Sequence, residues 1–347
     1  MIVEIGPRPY VARSFAAGSL FFSTDSARDR PEGIARLASL GDLWAALARP
    51  DLELVVVHPN FSAPWSVRHL NRSIFSWRLV QGRSPLFRAL GPELARWRGK
   101  APLVVVDHED LPVINRNNLQ LLDRCDLWFK RELPPDHWRV FTKTAHPNLP
   151  TPRFRSNPRH QAWVRKLRPI SIGLPLHADG LPLPPREKTA DIFFSGRVAG
   201  SSSVRERGLA ELKALADAGV KVDIPDRPLP PAEFYERCAA AWLVWSPEGY
   251  GWDCFRHYEA PACGSVPLIS QPWIDRHAPL EHGVHALYYD VEPGGLTRAV
   301  TTALADKAAL RRIAAAGQTH VARHHTPEAL ARYIVETSRG LAATRPA

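Results

Sequence analysis

Two unbroken apolar runs mark the first half of the chain, Asp51–His58 (DLELVVVH) and Ala101–Asp107 (APLVVVD). Neither alternates with polar residues, so each predicts a parallel strand buried on both faces. Asn115–Leu122 predicts the start of a helix, residues 125–133 (CDLWFKREL) a short strand ending in charge, and residues 168–175 (RPISIGLP) the last strand of this half. Ser66–Trp97 mixes arginines with Phe75, Trp77 and Phe87 and follows neither period. Residues 174–190 are proline-rich and read as linker. Beyond them a second series predicts strands at Asp191–Ser195, Val220–Ile224, Trp242–Ser246, Ser265–Ile269 and Ala286–Tyr289. Helices are predicted at Ser203–Ala218, Ala232–Ala240, Asp253–Ala262, Leu296–Leu304, Lys307–Ala316 and Pro327–Arg339. Strand–helix alternation on both sides of a linker predicts an α/β protein of two doubly wound, Rossmann-like domains facing a central cleft. The expected divisions are a first domain over 1–175, a hinge over 176–190, a second domain over 191–325, and a closing helix over 326–347 that packs back toward the first domain. Ligands of open α/β sheets lie beyond the carboxyl ends of the strands, which is where chemistry is expected.

Composition changes this picture little. A chain of 347 residues suits two cores better than one. A hydrophobic fraction of 45% and a charged fraction of 23% belong to a soluble globular protein. The apolar runs fall well short of the ~20 residues that cross a bilayer. Met1, Ile2 and Val3 lead into Glu4 and Pro7 without a basic segment before an apolar one, so no signal peptide and a cytoplasmic location are expected. The cysteines at 125, 238, 254 and 263 lack paired metal spacing and read as reduced thiols.

Charge adds more. The net charge is +10, and between Arg68 and Lys100 the single acid is Glu93. Residues 153–168 contain no acid. Such stretches suit phosphate-bearing substrates, anionic lipid or nucleic acid, or they are simply solvated faces. No recognition module or aromatic–basic repeat accompanies them, so nucleic acid is not an expected partner. Residues 66–100, with Trp65 beside them and Phe75 and Trp77 within, suit peripheral contact with the inner membrane face; the competing reading puts those aromatics in the core.

The stretch EGYGWDCFRHYEAPACGSVPLIS, residues 248–270, concentrates the chemistry. Glu248, Gly249, Tyr250 and Gly251 follow the predicted strand Trp242–Ser246, and glycines let backbone approach a ligand. A helix starting near Asp253 would offer free amides to a diphosphate. Arg256 matches phosphate oxygens. Glu259, three residues on, matches a ribose diol. The plainer alternative is a helix cap with a surface Arg–Glu pair of little energetic worth.

Together with Ser246 and Pro247, this stretch resembles the donor-binding segment of GT-B glycosyltransferases, most closely the exostosin-like and bacterial "glycosyl transferases group 1" families. The shared pattern falls on Ser246, Pro247, Gly249, Gly251, Arg256, Glu259, Ala260, Cys263, Gly264 and Pro267. The similarity extends more weakly over residues 190–335, where IFFSGRV (192–198) resembles the first strand and glycine loop of that domain. The resemblance implies a nucleotide-sugar donor as co-substrate, no further cofactor, and a hydroxyl-bearing acceptor: a glycan, a lipid-linked glycan or a small molecule. It implies donor contacts at Gly196, Arg197 and Arg205, with cationic side chains replacing a metal beside the leaving diphosphate. Asp226 falls where such enzymes read the base. In many retaining members two glutamates stand closer together than Glu248 and Glu259 do, which leaves the stereochemistry open.

Transfer to a hydroxyl needs a proton sink. Asp107, His108 and Glu109, followed by Asp110, end a predicted strand and are the candidates, with helix capping as the alternative. His58 ends the preceding strand and is a further one. His324 and His325 read as a surface feature rather than a metal pair. Two other classes stay open: a GT-B-like interaction subunit of a polysaccharide machine without catalysis, and a nucleic-acid-binding protein.

Overall fold

The computed structural model describes residues 1–24, 33–59, 90, 93–115, 118–142, 157–176, 178 and 180–343. The chain forms two units, Met1–Ile170 with Ala331–Ala347, and Ser171–Leu330.

The first unit is built on seven parallel strands: β1 Ile2–Gly6, β2 Ser19–Ser23, β3 Ala35–Arg36, β4 Leu54–Val57, β5 Leu103–Asp107, β6 Leu127–Lys130 and β7 Leu167–Pro169. Their order is β3-β2-β1-β4-β5-β6-β7, so the winding reverses between β1 and β4. Crevices at such reversals bind ligands in doubly wound sheets. Val3, Ile5, Val55, Val57, Leu103 and Val105 form the centre of the core. The helix Leu40–Leu47 opens on a reciprocal cap between Ser39 and Asp42. Tyr333, from the closing helix Pro327–Ala343, sets its ring edge against Phe129 and donates its hydroxyl to the Pro169 carbonyl.

The second unit holds β8 Ala190–Phe193, β9 Val222–Asp223, β10 Ala241–Ser246, β11 Val266–Ser270 and β12 Leu287–Tyr289, all parallel, in the order β12-β11-β10-β8-β9. Here the reversal lies between β8 and β10. The helix Ser203–Asp217 packs tightly on the sheet because Gly208 has no side chain; a β-carbon there would meet the Trp245 ring at 2.1 Å.

Several elements differ from expectation. The last strand of the first sheet stops at Pro169, and Gly173 takes a left-handed φ of 62° within the second unit. Residues 176–190 belong to the second unit, where Leu181 and Leu183 pack on its apolar clusters. The helix expected from Asp253 begins at Arg256; the buried Asp253 carboxylate before it accepts the Ile172 amide at 2.6 Å and the Tyr258 hydroxyl at 2.7 Å. The helix from Lys307 continues through Gly317 to His324, the glycine leaving room for the His285 carbonyl. His325 is not a surface group: it is buried, hydrogen-bonded to the Ser171 hydroxyl and to the Ala278 carbonyl. Residues 60–89, with Trp65, Phe75 and Trp77, lie outside the described residues, and with them most of the stretch expected to touch lipid. Among the described residues no helix is long and apolar enough to cross a membrane.

Candidate functional site

The reversal between β8 and β10 gathers most of the donor-side residues that the sequence singles out. Beyond β8 the chain runs through Ser195, Gly196 and Arg197; beyond β10 it runs through Pro247, Glu248, Gly249, Tyr250 and Gly251. The two loops are tied together. Arg205, buried on the helix Ser203–Asp217, donates Nε to the Glu248 carbonyl at 2.9 Å and Nη1 to the Arg197 carbonyl at 2.8 Å. Ser202 Oγ donates to the Glu248 carbonyl and accepts the Arg205 amide. Tyr250, 66% exposed, donates its hydroxyl to the Gly200 carbonyl at 3.0 Å. Arg205 was expected to meet the leaving group directly. It ties the two loops through the Glu248 and Arg197 carbonyls, with Nη2 at 3.5 Å from the Pro247 carbonyl and 3.8 Å from Cys254 Sγ.

The glycines find their reason here. A β-carbon at Gly249 would lie 2.8 Å from Arg205 Nη2, and one at Gly196 would lie 2.3 Å from Arg256 Nη1. Each glycine makes room for a guanidinium group. Arg256 donates Nη1 to the Ser195 carbonyl at 2.6 Å and lies over the Phe194 ring, 5.2 Å from its centroid. Its Nε is buried and has no hydrogen-bond partner. Burial lowers its pKa, and Arg205 adds like-charge repulsion. Among the described residues no carboxylate is hydrogen-bonded to either guanidinium group. Arg197 is exposed, its Nε donating to the Ala199 carbonyl, with no carboxylate partner among the described residues. The amides of Ser203 and Val204 open a helix of 15 residues at the same loop, and first-turn amides have no partner within their own helix. The helix Arg256–Ala262 offers less: the His257 and Tyr258 amides already donate to the Cys254 and Phe255 carbonyls.

Glu259 is buried and points at Tyr235, whose hydroxyl lies 3.5 Å from Oε1. Burial pushes its pKa up to about 7, against the pull of Arg256. The Glu248 carboxylate accepts Trp273 Nε1 at 3.2 Å. Asp226 is exposed just after β9. His257 has no place in the sequence reading, yet it fixes the loop. Nε2 donates to the Trp252 carbonyl at 2.8 Å, which leaves Nδ1 to accept the Ser246 hydroxyl at 2.7 Å.

In the first unit the expected acceptor-side residues lie at the end of β5, in different surroundings. Asp107 is buried and accepts the Glu109 amide, Trp128 Nε1 and Lys130 Nζ, so its oxygens are occupied. Burial pulls the His108 pKa down to about 3, with the charge of His58 next among the causes; its Nε2 is enclosed without a partner. Such a ring stays neutral and is a weak base at neutral pH. Glu109 is exposed, and Asp110 pairs with Arg131 at 2.6 Å. The residue with the geometry of a base is His58, at the β1–β4 reversal. Its Nε2 lies 2.7 Å from Oε1 of Glu4, whose buried carboxylate also accepts the Tyr10, Val11 and Ala12 amides. With Nε2 donating to that carboxylate, Nδ1 keeps its lone pair. The rings of Tyr10 and His108 stand 6.4 and 6.3 Å from His58.

Comparison with known proteins bears on the fold. Residues 226–336 match the model of a family described as glycosyl transferase-like. No curated protein matches the chain. Among solved structures, sucrose-phosphate synthase from Thermosynechococcus elongatus superposes with a TM-score of 0.54 at 14% identity, covering 99% of this chain and 100% of that one. Anabaena HepE in complex with UDP gives 0.53 at 14% identity over 98% and 99%. An α,α-trehalose-phosphate synthase from Burkholderia vietnamiensis gives 0.54 at 13% identity over 98% and 99%. The fold is GT-B. In GT-B terms, the first unit carries the Glu4–His58 pair and the second carries the arginine-lined loops. Among the described residues of this GT-B chain, no group of three His, Cys, Asp or Glu side chains is placed to hold a metal ion.

Proposed function

We propose that this protein is a glycosyltransferase that moves a sugar from a nucleotide-sugar donor to a hydroxyl of an acceptor, without a divalent metal. The observation that carries the reading is the pair of loops at the β8–β10 reversal. A buried arginine, Arg205, and a half-buried one, Arg256, are seated there by two glycines, beside the helix start at Ser203. Arg256, Arg197 and the Ser203 and Val204 amides meet the diphosphate as the bond to the sugar breaks and charge grows on the leaving oxygen. Arg205 and His257 hold the loops for them. Glu259 accepts hydrogen bonds from the ribose hydroxyls, which favours its ionised form. In the first unit, His58, oriented by Glu4, takes the proton of the acceptor hydroxyl on Nδ1. A base of this kind serves a single displacement, which inverts the anomeric centre. The net charge of +10 supports a second element of the proposal, peripheral contact with anionic lipid at the cytoplasmic membrane face; flotation with anionic vesicles that fails even at low salt overturns that element.

UDP-sugars are the first donors to test, because HepE is solved with UDP and with UDP-glucose. The experiment is a panel of nucleotide sugars, read by hydrolysis, by transfer to simple glycosides, and by thermal stabilisation with each nucleoside diphosphate. Stabilisation by one nucleoside diphosphate, with turnover of its sugars, is the expected result. A protein that no nucleoside diphosphate stabilises and that turns over no donor is not a transferase. NMR of the product anomer then tests the single displacement.

A further inference from the structure

The second unit contains a cavity of about 520 Å3 at the end of its sheet opposite the donor loops. Its position follows from the strands. Lys188 just precedes β8, Trp242 is near the start of β10, and Gly264 just precedes β11, so all three mark amino-terminal strand ends. The volume lies within the range of ~300–1,000 Å3 usual for small-molecule sites. Pro185, Leu310, Ala314 and Ala315 give it an apolar wall, and Trp242 an aromatic one.

The charges around this wall do not balance. Arg186, Lys188 and Arg311 line the cavity against the single carboxylate Glu187. The Lys188 ammonium donates to the Ala239 and Gly264 carbonyls and to the Ser265 hydroxyl, each at 2.8 Å. These acceptors lie at or just beyond the ends of two helices and carry partial negative charge, but none is a carboxylate. Burial accordingly pulls its pKa down to about 8. Arg311 stacks over Trp242, 5.1 Å from the ring centroid, and neither Arg311 nor Arg186 has a carboxylate partner among the described residues. The other cation over Trp242, Lys307, is already paired with Asp191. Apolar surface recruits a hydrocarbon or ring, and unpaired guanidinium groups recruit carboxylate or phosphate.

We infer that this cavity binds a small organic anion, a phosphate or carboxylate carried on an apolar body, at a second site distinct from the donor loops. The apolar body lies along Leu310, Ala314 and Trp242. The anionic head meets Arg311 and Arg186 at the rim. The inference does not depend on the transferase reading, since no residue is shared between the two sites.

Octyl phosphate is a suitable probe, titrated by calorimetry into the whole protein. Octanol serves as the probe without charge, inorganic phosphate as the charge without the body, and octyltrimethylammonium as the opposite charge. Octyl phosphate is expected to bind at least tenfold more tightly than any of the three. Arg311→Gln, on an exposed side chain, is expected to weaken it at least tenfold, and Ala315→Trp, which fills the cavity, to abolish binding. Saturation with a nucleoside diphosphate leaves the affinity unchanged if the sites are separate. Circular dichroism checks that both variants fold. Absence of octyl phosphate binding, equal binding of octanol, an unaltered affinity in folded Arg311→Gln and Ala315→Trp, or competition by the nucleoside diphosphate each overturns the inference.

Discussion

Gly196 and Arg256 occupy one another's space: a β-carbon on the first would stand 2.3 Å from Nη1 of the second. The bond from that nitrogen to the Ser195 carbonyl depends on the missing side chain. Gly196→Ala is therefore expected to move the guanidinium group and weaken nucleoside diphosphate binding at least tenfold, because Arg256 is the cation of the site whose enclosed Nε has no partner. Gly208→Ala is the contrast. It drives a methyl into Trp245, and overpacking of this kind costs about 1–3 kcal/mol of stability. Calorimetry and thermal unfolding on both variants separate the two effects; unaltered affinity in folded Gly196→Ala would detach Arg256 from the donor.

Glu259 yields a prediction in each of two measurements. Its folded pKa, about 7, exceeds the ordinary 4.5, so the folded chain binds the proton more tightly than the unfolded one. The resulting stability is complete below pH 4.5 and is lost as pH rises to about 7, a loss on the order of 3 kcal/mol at ~1.4 kcal/mol per pKa unit. Glu259→Gln is expected to flatten denaturation midpoints across that window and to exceed the wild type above pH 7. The same variant is expected to bind nucleoside diphosphate roughly ten- to a hundredfold more weakly, the equivalent of a charged hydrogen bond of ~1.5–3 kcal/mol. Unchanged affinity would remove the ribose from Glu259.

The histidines of the second unit act in the opposite sense. Burial lowers His325 well below 6.5 and His277 to about 4, and His320 and His324 repel any proton added to either. Their neutral forms stabilise the fold above pH 6.5, and this contribution is lost as pH falls, for His277 through about 4. His277→Asn is expected to soften the acid limb of a stability profile between pH 6.5 and 4 and to leave the profile above pH 7 unaltered. An acid limb identical to the wild type would count against this account.

On the acceptor side, His58→Ala is expected to lower kcat by roughly 10²–10⁴, the usual share of a general base, with nucleoside diphosphate affinity unchanged. His108→Ala is expected to leave kcat within a few fold of the wild type. Reversal of the two results would return the base to the strand end of β5.

Turnover is expected to survive EDTA, because arginines and helix amides take the place of a cation beside the diphosphate. Activity abolished by EDTA and restored by magnesium or manganese would refute the metal-free reading.

Much of the second unit was legible because its strands are short apolar runs separated by amphipathic helices and glycines; the spacing singled out Arg256, Glu259 and the loop after β10, and the family resemblance pointed to the loop after β8. The first unit was harder. Strand β1 reads IVEIG, and the acid that breaks its apolar run is Glu4, the residue that orients His58. A buried carboxylate satisfied by three amides looks like a surface position until the chain is folded. Proline density misled at 176–190, since proline reports an irregular backbone and not an exposed one; Leu181 and Leu183 are packed, and Lys188 reaches three acceptors. Arginine identity was visible but its role was not, because only distances tell Arg205, turned to carbonyls, from Arg256 with an unpaired Nε.

The closing helix Pro327–Ala343 starts in the second unit and finishes in the first. The first unit is thus discontinuous in sequence, and a ribosome emits its final piece last. Residues 1–170 emerge without Tyr333, which covers Phe129, and without Arg339, which pairs with Glu53. The second unit, contiguous over Ser171–Leu330, has every residue it needs before the first does. Vectorial synthesis is therefore expected to reverse the usual amino-to-carboxyl order of domain completion. A chain released after residue 330 would hold a complete second unit beside an unfinished first one.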